Sequence, residues 1–393
     1  MRPKAKKVLS VVLVVFFLLV LVAAIVLYPY YRMPPESKAV LDARQAEFQA
    51  VAEEIAARPK DDHLALEKLF DDLAAAKLTL PKEVFHDACP LFVNDEIQAQ
   101  APVLEQFQPF LDRFHAVLKD GLVMQLDNDP DADLLNFSFL RQLIFADLVA
   151  AALDLSQGRP EKAEPRLVQT IETERELLNA KFILPVMIAE AIAQRINGTI
   201  VFLLPRLPAA TIQELQKQLE SLPDARVMFV ESLKVEAAHS MTALDRLFTG
   251  GRDSWDRLGD NEIHVPYFLF RLGGIVGFLD RERYMSIHIR AKDIDHFQTW
   301  INSGSKELPP EVIRDDIMHS LTAQISYPNT QSLMRHCAKN MQDRRAVLAA
   351  ITLELQRRQG KPAEKAELPF DDQRLIVLES ESGCLKITVP PKK

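Results

Sequence analysis

Residues 8–28 form a continuous apolar run of 21 residues in which Ser10 is the one strongly polar side chain. As a helix rising ~1.5 Å per residue it spans about 31 Å, close to the ~30 Å hydrocarbon core of a bilayer. Arg2, Lys4, Lys6 and Lys7 stand before it, and the first 32 residues hold no Asp or Glu. On the positive-inside rule the basic tip 1–7 stays in the cytoplasm and the rest of the chain crosses. Tyr28, Tyr30 and Tyr31 fall at the interfacial belt, where Arg32 can snorkel to the headgroups. A cleaved signal peptide has an apolar region of only about 7–15 residues and a small-x-small cleavage site. Here Tyr28-Pro29-Tyr30-Tyr31 follows the run directly. The expectation is a single-pass anchor in a bacterial inner membrane, with the bilayer as partner through 8–28 and the C-terminal domain periplasmic.

The other 361 residues carry 42 Lys and Arg against 55 Asp and Glu, a net charge of −13. Nucleic-acid binding needs clustered cations to neutralise phosphate, so this acidic body argues against it. Apolar residues make up 48% of the 393-residue chain, ample for a packed core. Three cysteines are too few for a disulfide scaffold or a four-cysteine zinc module. Cys337 and Cys384 are close enough in sequence to pair, leaving Cys89 over, but three buried thiols serve equally well.

Past Pro34-Pro35, a stem and first helix fill 29–60, with an apolar stripe of Val40, Leu41, Ala43, Phe48, Val51 and Ile55. Helical periodicity then continues over a domain at 61–360. Asp61-Asp62 caps a helix bearing Leu64, Leu66, Leu69, Phe70 and Leu73. A stretch over 94–126, softened by Pro102 and Pro109, carries Leu104, Phe107, Leu111, Phe114 and Leu118. Helices at 134–155 and 161–182 flank Gln157-Gly158-Arg159-Pro160, and the order Leu155, Gly158, Ala163, Leu167 resembles one tetratricopeptide-type hairpin. Residues 182–204 are apolar nearly all round, with Glu190, Gln194 and Asn197 on one face. A second membrane span would place Glu190 and Arg195 at mid-depth at roughly 2–3 kcal/mol each, so a buried central helix is expected.

Helices at 209–222 and 224–248 form a further hairpin about Pro223. The pattern fails between 249 and 266, the longest loop, which leads into a Gly-containing apolar run at 267–279 suited to close helix packing. Two more helices are expected at 281–301 and 329–358. In the tail, 361–393, the runs 374–378 and 384–389 about Gly383 read as a β-hairpin. The fold class is thus mainly α: a transmembrane helix, an irregular, partly tetratricopeptide-like array of helical hairpins, and a small C-terminal β-hairpin.

No His-Glu-x-x-His, Gly-x-Ser-x-Gly, phosphate loop or dinucleotide fingerprint occurs. Ser303-Gly304-Ser305-Lys306 has the spacing of a penicillin-recognising nucleophile, but Pro309-Pro310 follows where a helix should run. Five of the nine histidines have a carboxylate three residues earlier: Glu83/His86, Asp112/His115, Glu236/His239, Asp293/His296 and Asp316/His319. Two Glu-x-x-His motifs with two further glutamates would build a di-iron bundle site. Acid–His pairs worth a few tenths of a kcal/mol explain the spacing more cheaply. No catalytic, cofactor-binding or metal-ligating residue is therefore assigned. Arg281-Glu282-Arg283 and Arg344-Arg345 read as solvated helix faces, and Trp255 and Trp300 as packing anchors.

The C-terminal run 344–362, with its small residues Ala346, Ala349 and Ala350 and its Gly360-Lys361-Pro362 stop, precedes Leu368-Pro369-Phe370-Asp371-Asp372. This ending resembles that of single-span, mostly helical bacterial envelope proteins of unassigned function, with a short pseudopilin-like tail. A working pseudopilin would carry a Glu early in its apolar helix, and 8–28 contains none. The resemblance implies location and architecture and brings no catalytic residues. The leading expectation is a membrane-anchored extracytoplasmic helical scaffold with a protein partner. A membrane-tethered enzyme and a structural subunit of a larger complex, docking through 267–279, are its competitors.

Overall fold

The computed structural model describes residues 35–57, 63–80, 94–119, 137–249, 278–304 and 330–360, with the backbone of three short tail segments. The anchor expected at 8–28, the loop expected between 249 and 266 and most of the 267–279 run lie outside the described residues, as do Cys89, Trp255 and Cys384. The described residues are mostly helical. Eleven α-helices follow in chain order among them: α1 (Pro35–Ala56), α2 (His63–Ala76), α3 (Asn94–Ala99), α4 (Ala101–Lys119), α5 (Phe137–Ser156), α6 (Pro160–Asn179), α7 (Ile183–Leu203), α8 (Ala209–Glu220), α9 (Ala225–Thr249), α10 (Phe278–Asn302) and α11 (Thr330–Arg358). They belong to two compact units.

The larger unit is built around α5, which is buried nearly all round from Phe137 to Leu155. Its hairpin with α6 is set by local chemistry. Gly158 adopts φ 72°, the Gly158 amide bonds to the Leu155 carbonyl at 3.0 Å, and the Arg159 amide reaches that of Asp154 at 2.9 Å. This is the Schellman arrangement, which satisfies carbonyls the helix end leaves open. Pro160 then opens α6, where its missing N–H costs nothing. Ala163, Leu167 and Ile171 line the buried face of α6 at a spacing of four.

Next to α6 packs α7, which in turn packs on α11, while α8 closes against both α6 and α11. On the other side of α5, α4 presents Leu104, Phe107, Leu111 and Phe114, and α2 presents Leu66, Leu69, Phe70 and Leu73. Both stripes are those expected from the sequence. The long 94–126 stretch is divided at Gln100 into α3 and α4, and Pro109 sits inside α4.

Length and composition would allow the segment Ile183–Arg206 to cross a membrane, yet 72% of its most apolar window is buried inside the protein. Met187, Ala191 and Gln194 form a narrow exposed stripe, while Glu190 and Asn197 are buried. The shared polar face expected of Glu190, Gln194 and Asn197 is therefore split, since Gln194 lies 40° beyond Glu190 at 100° per residue, toward solvent.

In the smaller unit, α1 is held to α10 by polar contacts. Arg44 grips both carboxylate oxygens of Asp295 at 2.7 Å, and the Tyr284 hydroxyl donates to Asp42 at 2.9 Å. Its apolar seat is Leu41 and Phe48, seven residues apart. Val40 is 63% exposed and Ala43 is exposed too, which corrects the broader stripe expected there. Leu41 and Phe48 lie about 20° apart around the helix, whereas Val40 and Ala43 lie about 100° and about 160° from Leu41, outside that line.

In the tail, Arg374–Glu379 and Leu385–Thr388 pair antiparallel, with Val377 opposite Ile387. The turn that would join them, 380–384, and every tail side chain lie outside the described residues. The small C-terminal β-hairpin is therefore not supported as a packed element of the fold.

Leu167→Ala should lower unfolding free energy by about 2–5 kcal/mol, the cost of a cavity in a closed core. Val40→Ala should change it by less than about 0.5 kcal/mol. Denaturant titration of the full chain in detergent checks both, and similar losses at the two positions would refute the assignment of faces.

Candidate functional site

The strongest concentration of buried charge lies where α6, α7 and α11 meet. The buried residues of α11 step by three and four through Thr330, Met334, Cys337, Asn340, Arg344, Val347 and Ile351. Arg344 thus sits on the inward stripe, not on the solvated face expected for Arg344-Arg345. Its Nη2 donates to Glu174 Oε1 of α6 at 2.5 Å, and its Nη1 to the Pro223 carbonyl at 3.2 Å. Glu174 is 1% exposed. Burial pushes its carboxyl above the ordinary range, and the Arg344 guanidinium pulls it back toward the ionised form.

One turn of α11 earlier, Asn340 Nδ2 donates to Glu190 twice, to the main-chain carbonyl at 2.8 Å and to Oε2 at 2.5 Å. No ion pair holds this carboxyl among the described residues, in contrast to Glu174. Burial raises Glu190 to about 7, with the Asn340 hydrogen bond acting the other way and the Glu174 charge adding to the rise. Cys337, a buried free thiol, is pushed well above its usual value by burial and by the charge of Glu190. Ahead of α9, burial pushes Asp224 upward, but hydrogen bonds and charge from Arg226 leave it below the ordinary value. Arg226 also lies over the Trp300 ring, so Trp300 is buried as the packing anchor expected.

A second cluster joins α4, α5 and α6. Asp147, fully buried, takes His115 Nε2 on one oxygen and Arg166 Nη1 at 2.8 Å on the other. Arg166 Nε reaches Asp154 at 3.3 Å, and Arg159 meets Asp154 at 2.6 Å. The Asp112/His115 motif is thereby divided, because Asp112 accepts from Gln108 at 2.6 Å while His115 turns to Asp147. An aspartate behind a histidine is the orienting half of a hydrolytic triad. Here the same aspartate also neutralises Arg166, which makes it a strut between helices.

Glu236 and His239 are in the smaller unit, on α9. Burial raises the Glu236 carboxyl against the charge of Arg290, and burial lowers His239. Arg290 donates to Ser286 and, at 3.0 Å, to Ser240. No group of three or more His, Cys, Asp and Glu placed to hold a metal occurs among the described residues. Glu83/His86 and Asp316/His319 lie outside them, as do Ser305 and Lys306 of the Ser-x-x-Lys motif. Ser303 Oγ is spent on the Trp300 carbonyl at 2.7 Å.

Comparison of the chain with protein-family models, with curated proteins and with solved structures returned no match.

Removing Arg344 alone leaves Glu174 as an uncompensated buried charge. Arg344→Met should therefore cost about 3–5 kcal/mol, whereas Glu174→Leu combined with Arg344→Met should cost less than Arg344→Met alone. A thermal or denaturant double-mutant cycle measures this, and additive losses would show that the pair is not coupled.

Proposed function

We propose that this chain is a membrane-anchored helical scaffold that presents its extracytoplasmic face to a protein partner. In this reading residues 8–28 are the anchor, the tip 1–7 is cytoplasmic, and the helical domain and the tail 361–393 lie in a bacterial periplasm. The apolar run behind four cations supports the address, as does the resemblance of the C-terminal run to single-span envelope proteins.

The observation that carries the scaffold reading is the use made of buried charge. Asp147, Asp154 and Glu174 each meet an arginine of another helix, and these pairs tie α5, α6 and α11 together, with His115 bringing α4 to Asp147. Such pairs fix which helix seats against which, the requirement of a protein that presents a surface. The α5–α6 hairpin, with Ala163 fully buried behind Gly158, supports tetratricopeptide-like packing, and stacked hairpins of that kind bind peptides and subunits along their faces.

Two measurements test the proposal. After alkaline carbonate extraction the full chain should stay with the membrane pellet. Crosslinking in intact cells should return a reproducible partner that also comigrates with the chain on native gels. Recovery of the intact chain in the soluble fraction would overturn the anchored reading. A chain that stays membrane-bound but migrates alone after crosslinking would overturn the partner.

A further inference from the structure

The seam between α7 and α11 holds a polar arrangement that the scaffold reading does not use. Glu190 is buried in the middle of α7, and a neutral amide, Asn340, is its hydrogen-bond partner. The charged groups around it come from each neighbouring segment. Glu174 approaches from α6, Arg344 and the Cys337 thiol from α11, and Asp224 from the turn before α9. On α5 the charged side chains are engaged elsewhere, with Arg141 over the Phe145 ring and Asp147 and Asp154 on Arg166. Arg226 is spent on Asp224 and Arg175 acts on Glu174, while Arg344, the cation that acts on Glu190, already serves Glu174 and the Pro223 carbonyl.

Two buried carboxyls thus share the neighbourhood of one guanidinium. With Glu190 neutral, the charges of Glu174 and Arg344 balance and Asn340 donates to an oxygen of the acid. With Glu190 ionised, the seam carries an excess negative charge that has left water without a cation of its own, a costly condition in a low-dielectric interior.

We propose that the α7–α11 seam is a proton-controlled contact, closed when Glu190 is the neutral acid and loosened when it ionises. The direction follows from linkage. Burial lifts Glu190 from 4.5 to about 7, so the folded chain keeps this proton over a range in which the unfolded chain has lost it. The stabilisation is fully present below 4.5 and is lost as pH rises through about 7. A loss of proton near neutrality therefore acts on α11 through Asn340, and on the α6 seat through Glu174 and Arg344.

Hydrogen exchange on the full chain in nanodiscs, corrected for the intrinsic pH dependence of exchange, reads this contact directly. Between about pH 5.5 and 8.5, amides in α7 and α11 should lose roughly tenfold or more in protection, while those of α4 and the first half of α5 change little. Glu190→Gln keeps the shape and the acceptor for Asn340 but cannot ionise, so its α7 and α11 protection should stay level across that range. Asn340→Ala, which removes the donor that favours the ionised acid, should keep the pH response and move its midpoint upward. Protection in the unaltered chain that does not change with pH would overturn the proposal. So would a Glu190→Gln chain that loses protection as steeply as the parent.

Discussion

The larger unit depends on how α11 is seated. Asn340, in the first half of α11, meets Glu190 toward the middle of α7, and Arg358 at the end of α11 donates to the Leu204 carbonyl just past the end of α7. The two helices therefore run in the same direction. Residues 204–329 separate the two helices, so no short turn sets their register. Asn340 ties α11 to α7, and Arg344 seats α11 against α6 and the Pro223 carbonyl. A buried pair of this kind adds little net stability over apolar packing, but a one-turn slip would strand both charges in the core, which costs several kcal/mol. Apolar burial drives the helices together, and the pair selects the arrangement.

The same division of labour recurs around α5. That helix is buried on all sides and by apolar matching alone would accept several rotational settings against α4 and α6. Asp147 and Asp154, two turns apart, remove the ambiguity, since both must face Arg166. The fold thus buries its charges at the helix–helix seams and leaves apolar residues between them. Glu190 departs from this rule. Its hydrogen bond comes from an amide, so proton loss there would, on the proposed reading, unbalance the seam.

Much of this was legible in the sequence because helical periodicity is a local signal. The stripes of α2 and α4, the Gly158-Arg159-Pro160 break and the burial of 183–203 follow from spacing and turn chemistry at the residues concerned. The seam pairs were not legible. His115 has a carboxylate one turn before it, yet bonds to Asp147, 32 residues on, because tertiary packing decides which way the ring turns. Arg344 carried a usable signal, its place four residues after Asn340 and three before Val347 on the inward stripe of α11. Charge alone suggested solvent, and the pattern of the neighbours was the better guide. Val40 shows the reverse error: it lies about 100° round the helix from Leu41, off the line that Leu41 and Phe48 share.

The proposed reading needs α7 to be a core helix of the helical domain and not a span of its own. Met187, Ala191 and Gln194 are its exposed stripe, and Ile192 is fully buried. Single cysteines at these four positions, in a chain with Cys89, Cys337 and Cys384 replaced by Ser, can be probed in permeabilised membranes with a charged maleimide. The account predicts that positions 187, 191 and 194 label readily and position 192 does not. Protection of all four, as hydrocarbon around a second span would give, would contradict it.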